Sequence, residues 1–318
     1  MAEWHDVVTS RTQTERDAQA RSEPAQRDHE RRMVAEHYEN DPEIFSLVLD
    51  SRLTYSTGIF ERADDSLEVA QDRKMRRIAR LLDIQPGERV FDAGCGWGSV
   101  MLDLAEHTGG RFQGVTLSAR QREVLLARAR DKGVADRVEV DLMHIDDAQL
   151  APESLDAVVF SGSIVHMHDR AGVYGRVARA LKPGGRLLVS DCCFPRVPRG
   201  NTESAATHYI FVTALGYCRL LSLSEELGVI EGAGLDVLHT QDLTSSYALT
   251  LERWIDNVRT HRAQIEARAP GFARVLQAYM TVARLSFAKR TALEYLVLAA
   301  KGRARIGEIP DAALGARS

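Results

Sequence analysis

Cysteine is scarce in this sequence, and no metal-binding pattern is built on it. The four cysteines, Cys95, Cys192, Cys193 and Cys218, are too few for the disulfide framework of a small secreted domain. No histidine stands at zinc-finger spacing from them, so we expect no metal site. We therefore expect a reduced, cytoplasmic protein whose 318 residues are enough to bury a core without covalent cross-links.

The sequence also lacks an excess of charge and any long apolar run. Lys and Arg number 41 against 45 Asp and Glu, a net charge of −4 that offers no basic surface for a nucleic-acid backbone. No apolar run reaches the roughly 20 residues that cross a bilayer, and residues 1–32 contain no apolar signal-peptide core. We expect neither nucleic acid as a partner nor stable membrane insertion, and the predicted substrate is a small molecule.

Short apolar runs alternate with amphipathic stretches through most of the chain. The predicted strands are residues 89–92, 112–117, 138–142, 156–160, 186–191, 235–243 and 292–301, and the predicted helices are residues 66–82, 99–107, 119–132, 171–181 and 247–289. Strand, helix, strand with short loops is typical of a doubly wound, mostly parallel α/β sheet with right-handed crossovers.

The chain divides by composition into four parts. Residues 1–32 form a polar arm, either a solvated helix or a disordered tail, and a contact with a second subunit through it stays open. A helical lid is predicted for 33–85, the α/β domain for 86–301 and a polar tail for 302–318. Residues 195–232 are predicted to be an insertion over the sheet, with a helix that starts at Ser224. Four of its side chains are predicted to line an apolar substrate pocket: His208, Tyr209, Phe211 and Tyr217. Ordinary packing explains each of them equally well.

A glycine-rich turn joins the first strand to its helix. Asp92 ends the strand and Gly94, Gly96 and Gly98 follow, so the backbone can turn sharply and approach a ligand beside free helix N–H groups. The Gly-x-Gly-x-Gly spacing differs from the dinucleotide fingerprint, and nothing acidic ends the second strand at 114–118. The turn resembles the first motif of class I S-adenosylmethionine (SAM) methyltransferases, which implies a Rossmann-like methyltransferase fold and SAM as the cofactor.

Motifs outside the turn narrow this resemblance. They are His37-Tyr38, Phe45-x-x-Val48-Leu49-Asp50, Leu53-Thr54-Tyr55-Ser56, Gln71, Lys74, Val115-Thr116-Leu117-Ser118-x-x-Gln121 and Tyr247-Ala248-x-Thr250-Leu251-x-x-Trp254. Together with the turn they resemble the cyclopropane-fatty-acid and mycolic-acid synthase family over residues 37–301. By that resemblance the residues that bind SAM are Tyr55 and Ser56 from the lid, Asp92, Gly94, Gly96 and Gly98 at its amino-acid end, Thr116, Leu117 and Gln121 at its ribose, and Met143 and His144 at its adenine.

The sequence departs from this family where the family holds a bicarbonate ion. Thr57 replaces a cysteine, Val165 replaces the glutamate of a Glu-His pair, and Ser190 stands where the family has a second histidine. In the family these residues hold the bicarbonate that removes a proton from the methylated cation, so ring closure by that route is not expected. The family's His166 and Tyr247 are retained and are predicted to be catalytic.

The position of His166 suggests the same role without the resemblance. His166 follows the fourth strand and Asp191 ends the fifth, and doubly wound sheets bind ligands beyond these carboxyl ends. A histidine oriented by a carboxylate can take up a proton near neutral pH, so Asp191 is the third catalytic candidate. The alternatives are that His166 only caps the next helix and that Asp191 only ends a strand.

The predicted function is SAM-dependent methylation of a small, largely apolar metabolite. We expect carbon methylation of an alkene in a prenyl, terpenoid or lipid-like chain of secondary metabolism. The alternative is O- or N-methylation of a natural product with His166 as the general base. A SAM-binding protein without catalysis is the third reading.

Overall fold

The computed structural model describes residues 41–197 and 218–304, and its centre is a seven-stranded sheet. The strands are β1 (Arg89–Ala93), β2 (Arg111–Thr116), β3 (Val138–Leu142), β4 (Leu155–Ser161), β5 (Leu181–Cys193), β6 (Asp236–Asp242) and β7 (Leu293–Ala300). They lie in the order β3-β2-β1-β4-β5-β7-β6, and β7 runs antiparallel to both of its neighbours while the others are parallel. The predicted fold class is confirmed.

Helices cover both faces of this sheet and its carboxyl edge. Those in the described ranges are α1 (Pro42–Val48), α2 (Leu67–Leu82), α3 (Ser99–Thr108), α4 (Ala119–Asp131), α5 (Arg170–Ala180), α6 (Leu223–Gly232), α7 (Thr244–Thr260), α8 (Arg262–Arg268) and α9 (Phe272–Ala288). The helical region predicted for 247–289 is three helices, with one break at His261 and another between α8 and α9. The second break follows from Pro270, which lacks an N–H group, and from Gly271, which has φ +84°. The helix predicted to start at Ser224 is capped by Ser222, since Glu225 completes a capping box with that serine.

The core is divided between the two faces by strand alternation. Val159 and Leu188 point to the face that α2 covers, whereas Phe160 and Val189 point to the face that α5 covers. A third apolar cluster lies under α1, α7 and α9, at the end of the sheet where β4 and β5 finish. The carboxyl ends of the strands are therefore enclosed by helices from both termini of the described chain.

The strand order places a crevice at those carboxyl ends. The chain moves outward from β1 through β2 to β3 and then crosses to β4 on the other side of β1. In doubly wound sheets this reversal separates the loops that follow the two central strands, and ligands bind in the gap. The glycine-rich turn after β1 and the segment that leads from β4 to His166 both line it.

Parts of the predicted organisation fall outside the described residues. These are the polar arm 1–32 with its subunit contact, the first residues of the lid, the middle of the insertion with His208, Tyr209, Phe211 and Tyr217, and the tail from residue 305. The division of the chain into lid, domain and insertion stays a prediction. Among the described residues, none of the helices has the length and apolar content that crossing a membrane requires.

A buried ion pair fixes the segment on which His166 depends. Arg170 and Glu226 are each 3% exposed, and the guanidinium of Arg170 donates to Glu226 and to the carbonyl oxygen of Arg219. The hydroxyl of Tyr174 also donates to Glu226. Because the N–H of Arg219 donates to the carbonyl oxygen of Val165 at 2.7 Å, this pair holds α5, α6 and the turn before His166 in one arrangement.

The variant Arg170→Ala tests this ion pair. It leaves the Glu226 carboxylate buried without its partner, so the free energy of unfolding should fall by about 3–5 kcal/mol in urea denaturation. The control is Arg259→Ala, which removes the exposed pair with Asp256 and should leave stability nearly unchanged. Equal losses in the two variants would contradict the role given to the buried pair.

Candidate active site

A cavity of about 910 Å³, continuous with solvent, lies in the crevice at the carboxyl ends of β1, β2 and β4. Concave crevices with apolar walls and a few polar groups are typical of sites for cofactors and small molecules. Many of the residues predicted from the sequence line it together: Tyr55, Ser56, Gly94, Gly96, Thr116, Leu117, Gln121, Met143, His144 and His166. Asp92, Gly98, Asp191 and Tyr247 are not part of this lining.

The lining also contains residues that the sequence analysis did not select. They include Leu53, Cys95, Trp97, Ser161, Gly162, Ser163 and Met167. Most are chain neighbours of the motifs, and the Ser161–Ser163 segment directly follows β4. The rule that identified His166, position beyond the carboxyl end of a central strand, would also have identified this segment.

The glycine-rich turn makes one wall of the cavity. Gly94 has φ +92°, and a Cβ added there would lie 2.6 Å from the Cβ of Ser163, so only glycine lets the two loops approach. Ser163 in turn donates to the carbonyl oxygen of Ala93 at 2.6 Å. Helix α3 follows with no side-chain cap on its first turn, which leaves backbone N–H groups suited to an anionic group.

The ends of β2 and β3 form the opposite side of the cavity. The hydroxyl of Thr116 donates to Oε1 of Gln121 at 2.8 Å, and the N–H of Gln121 donates to Ser118 at 3.1 Å. These bonds fix the orientation of the Gln121 carboxamide, so that its nitrogen is the atom that can donate a hydrogen bond to a ligand. His144 lies farther along this side, with its Nδ1 3.3 Å from a carboxylate oxygen of Asp146.

The lid loop is held over the cavity by a set of local bonds. Leu53 has φ +58°, a strained conformation for a leucine that costs about 1–3 kcal/mol, and Asp50 accepts the N–H of Thr54 at 2.7 Å beside it. Gln71 of α2 donates to the carbonyl oxygen of Ser56 at 2.9 Å. Tyr55 and Ser56 therefore enter the lining from a loop that the surrounding helices position.

The floor of the cavity rests on a buried lysine. Lys74 of α2 is 0% exposed and donates to the hydroxyl oxygens of Ser56 at 2.5 Å and Ser161 at 3.2 Å. Burial lowers the pKa of Lys74 to about 8, although Glu294 and other carboxylates nearby favour its charged form. A cation thus stands directly behind two hydroxyl groups that face the cavity.

Asp92 is buried behind the turn instead of in the lining. It is close enough to Lys74 for that cation to lower its pKa, but burial dominates and raises the pKa of Asp92 to about 7. Its position at the end of β1 is the predicted one. A direct contact with SAM stays a prediction.

His166 ends a short 3-10 turn, Ile164–His166, and reaches the cavity from the β4 side. Its Nδ1 lies 3.6 Å from the sulfur of Cys218. The N-cap of α5 is Asp169, whose side chain accepts the N–H of Gly172 at 2.9 Å, so His166 does not cap that helix. The capping alternative is therefore wrong.

Asp191 supports this turn through the backbone. One of its oxygens accepts the N–H of Val165 at 3.3 Å and the other accepts the N–H of Cys192 at 2.8 Å. Burial raises the pKa of Asp191 to about 6. Strand β5 continues beyond it to Cys193, so the position of Asp191 suits a residue that orients the His166 turn and does not face the cavity itself.

An aromatic group continues from the cavity into the apolar cluster under α1, α7 and α9. Tyr55 lines the cavity, and its ring centroid is 5.3 Å from those of Phe45 and Trp254. Tyr247 follows, half-buried, 4.4 Å from Phe287 and 6.2 Å from Trp254. Burial raises the pKa of the Tyr247 hydroxyl well above its ordinary value, so this group stays protonated near neutral pH.

Comparisons with known proteins agree with this geometry. Residues 25–295 match the family described as mycolic acid cyclopropane synthetase. A relative from Mycobacterium tuberculosis named probable fatty acid methyltransferase Rv3720 is 32% identical over 275 residues, which are 84% of this chain and 62% of that protein. This chain therefore spans less than two thirds of that relative.

The match with a second relative covers a larger share of that relative's length. The 27-O-demethylrifamycin SV methyltransferase of Amycolatopsis mediterranei is 29% identical over 250 residues, 77% of this chain and 88% of that protein. Among solved structures, mycolic acid cyclopropane synthase CmaA1 complexed with SAH and CTAB superposes with a TM-score of 0.79 at 24% identity over 85% of this chain and 98% of that one. That likeness supports the fold.

The family match extends over most of the chain and includes every motif that carried the resemblance from Phe45 to Trp254. The predicted enzyme class, a SAM-dependent methyltransferase, and the predicted cofactor are confirmed at the level of the family. The chain belongs to the mycolic acid cyclopropane synthetase family.

Proposed function

We propose that this chain methylates an alkene carbon of a small, largely apolar metabolite, such as a prenyl, terpenoid or lipid-like chain. The observation that carries this proposal is the apolar part of the cavity lining, where the rings of Tyr55 and Trp97 lie with Leu53, Ile145 and Met167. An apolar acceptor gains free energy by leaving water for such a surface, whereas a charged one would lose its hydration.

The residues of the cavity fit SAM from end to end. Gly94 and Gly96 give its amino-acid part room against the backbone, and the Lys74 ammonium behind Ser56 and Ser161 supplies positive potential for its carboxylate. Thr116 and Gln121 suit its ribose hydroxyls, and Met143 with His144 suit the adenine. When bound, SAM supplies an electrophilic methyl group on a sulfonium, so the protein's task is alignment and exclusion of water.

The aromatic side chains would act on the acceptor. Attack by an alkene leaves a positive charge on carbon, and an aromatic face stabilises a nearby cation by about 0.5–2 kcal/mol. Tyr55 and Trp97 line the cavity, while Phe45 lies 5.3 Å from each of their ring centroids. The same rings keep water away from the charged carbon, which would otherwise be captured as an alcohol.

The alternative acceptor is a hydroxyl or amine of a natural product, with His166 as the general base. It is supported by the position of His166 in the cavity lining and by the relative whose name specifies a 27-O-demethylrifamycin substrate. General-base catalysis contributes roughly 10²–10⁴-fold, so the two acceptors differ in how much turnover depends on His166.

The cofactor site is tested by two glycine variants. An added Cβ meets nothing at Gly133 (φ +67°) and only Nε2 of Gln121, at an ordinary contact distance of 3.9 Å, at Gly96 (φ +52°), so alanine costs each a similar strain of roughly 1–2 kcal/mol. Only Gly96 lines the cavity. By calorimetry, S-adenosylhomocysteine should bind Gly96→Ala at least about tenfold more weakly, and Gly133→Ala like the wild type. Equal affinities would place the cofactor elsewhere.

The acceptor class is tested with SAM labelled by ¹³C in its methyl group. The panel contains oleoyl phosphatidylglycerol in mixed micelles, geranyl diphosphate and 27-O-demethylrifamycin SV. We expect NMR of the products to show the label bonded to a carbon of a former alkene. Label on oxygen or nitrogen alone would contradict the proposal and support the alternative.

The variant His166→Ala separates the two mechanisms on the accepted substrate. In carbon methylation the methyl transfer rate should stay within about tenfold, with altered products, because no proton has to leave before the alkene attacks. In O- or N-methylation turnover should fall by roughly 10²–10⁴-fold. The matched control is His168→Ala, outside the cavity lining, which should change neither rate nor products.

A further inference from the structure

The outer face of α9 is apolar where a surface helix usually carries charge. Val275 is 59% exposed and Leu285 is 41% exposed, and they are two of the five exposed large apolar side chains among the described residues. Ala278 and Ala288 are also exposed, and Val282 is partly exposed. A helix that covers a core usually turns polar and charged residues to water, so this face is unusual and calls for a partner.

The apolar side chains form one continuous stripe. Val275, Ala278, Val282 and Leu285 follow one another at intervals of three and four residues, which brings them to the same side of the helix. The stripe is about 15 Å long at the rise of an α-helix. The opposite side of α9 is buried in the apolar cluster under α1, α7 and α9, so the stripe is not part of that core.

The charge around this stripe has one sign. Residues 267–293 contain five basic residues and no Asp or Glu, in a chain whose net charge is −4. Of the five, Arg268 and Arg290 are paired with carboxylates of other segments. Arg274 lies in the first turn of α9, Lys289 directly follows its last residue, and both are exposed. The stripe with these two cations, which we call the α9 surface, combines apolar contact with positive charge.

The α9 surface lies at the end of the sheet that holds the cavity. Helix α9 is followed by β7, which starts at Leu293 opposite Cys193, at the carboxyl end of β5. The cluster beneath α9 includes Trp97 and packs against Tyr55, and both of these residues line the cavity. A partner bound to the α9 surface would therefore lie at the same end of the sheet as the cavity.

We propose that the α9 surface docks on an anionic lipid surface. An amphipathic helix binds such a surface by burying its apolar side at the headgroup boundary while Arg and Lys contact the lipid phosphates. The side chains of Arg274 and Lys289 have long apolar stems, so their charges can reach the phosphates while the stripe is lowered among the lipids. This contact is reversible and uses one helix face. It does not depend on which atom the enzyme methylates.

Other occupants fit this surface less well. In a two-fold pairing of α9 with α9, Arg274 of one copy would face Lys289 of the other, and like charges placed together across an interface are destabilising. A nucleic acid would bind through phosphate contacts with Lys and Arg and would leave the apolar stripe in water. An anionic lipid surface uses both the stripe and the cations.

Sedimentation with lipid vesicles tests the proposal on the full chain. The probes are vesicles of phosphatidylcholine alone and vesicles of phosphatidylcholine mixed with phosphatidylglycerol. We expect the wild type to bind the mixed vesicles at least about tenfold more tightly than the neutral ones, because each cation near an anionic surface adds to the attraction. High salt should remove most of this difference, since it screens exposed charges.

Two double variants separate the charged from the apolar contribution. Arg274→Gln with Lys289→Gln should weaken binding to the mixed vesicles by about tenfold or more and leave binding to the neutral vesicles unchanged. Val275→Ser with Leu285→Ser should weaken binding to both kinds of vesicle, because it removes apolar contact. All four side chains are exposed, so both variants should fold and bind S-adenosylhomocysteine like the wild type.

The matched control is Arg76→Gln with Arg80→Gln on α2. It removes two positive charges from another exposed helix face and should bind the mixed vesicles like the wild type. A loss in this control equal to that of Arg274→Gln with Lys289→Gln would contradict the proposal, because net charge and not the α9 surface would then decide binding.

The other outcomes are distinct. Failure of the wild type to bind the mixed vesicles, or equal binding to both kinds of vesicle, overturns the proposal. Sedimentation velocity without lipid covers the remaining case: a dimer that becomes a monomer in Val275→Ser with Leu285→Ser would assign the surface to a second copy of the chain instead. Absence of methyl transfer to carbon would overturn the proposed function and leave this inference unchanged.

Discussion

The buried ammonium group of Lys74 is the contact on which the site depends. It joins α2 to the lid through Ser56 and to the central sheet through Ser161, and both hydroxyls face the cavity. A buried charge is tolerated only with compensation, which here comes from carboxylates at the ends of β1, β5 and β7. The position of the lid, the floor of the cavity and the raised pKa values of the neighbouring acids therefore belong to one electrostatic arrangement.

This arrangement separates two environments at one edge of the sheet. The glycine-rich turn and the ends of β2 and β3 offer backbone N–H groups, hydroxyls and an amide, which suit the polar cofactor. The rings of Tyr55 and Trp97 in the lining offer an apolar surface, which suits the acceptor that we propose. The buried carboxylates of Asp92, Asp191 and Glu294 lie behind this lining, where they surround Lys74.

The sequence predicted the fold and 10 of the 21 residues that line the cavity because those signals are local. Gly94, Thr116 and Gln121 lie in short motifs whose spacing already implies a turn or a helix start. The role of Lys74 was not predicted, although the residue was recognised as part of a motif, because its partners lie 18 and 87 positions away. The contribution of Glu294 to the charge around Lys74 was missed for the same reason, since only the antiparallel pairing of β7 with β5 brings it to Ser190. Asp191 was expected in the cavity, but its carboxylate is used by backbone N–H groups, which no sequence pattern reveals.

The central claim is that the cavity presents an alkene carbon to the methyl group of SAM. The most direct test is a crystal structure with S-adenosylhomocysteine and a bound acceptor. The account predicts that the sulfur lies beside Gly94 and Tyr55 and that the acceptor atom nearest to it is a carbon of a double bond, within the aromatic group. A hydroxyl or amine nearest the sulfur, with His166 in contact with it, would contradict the account.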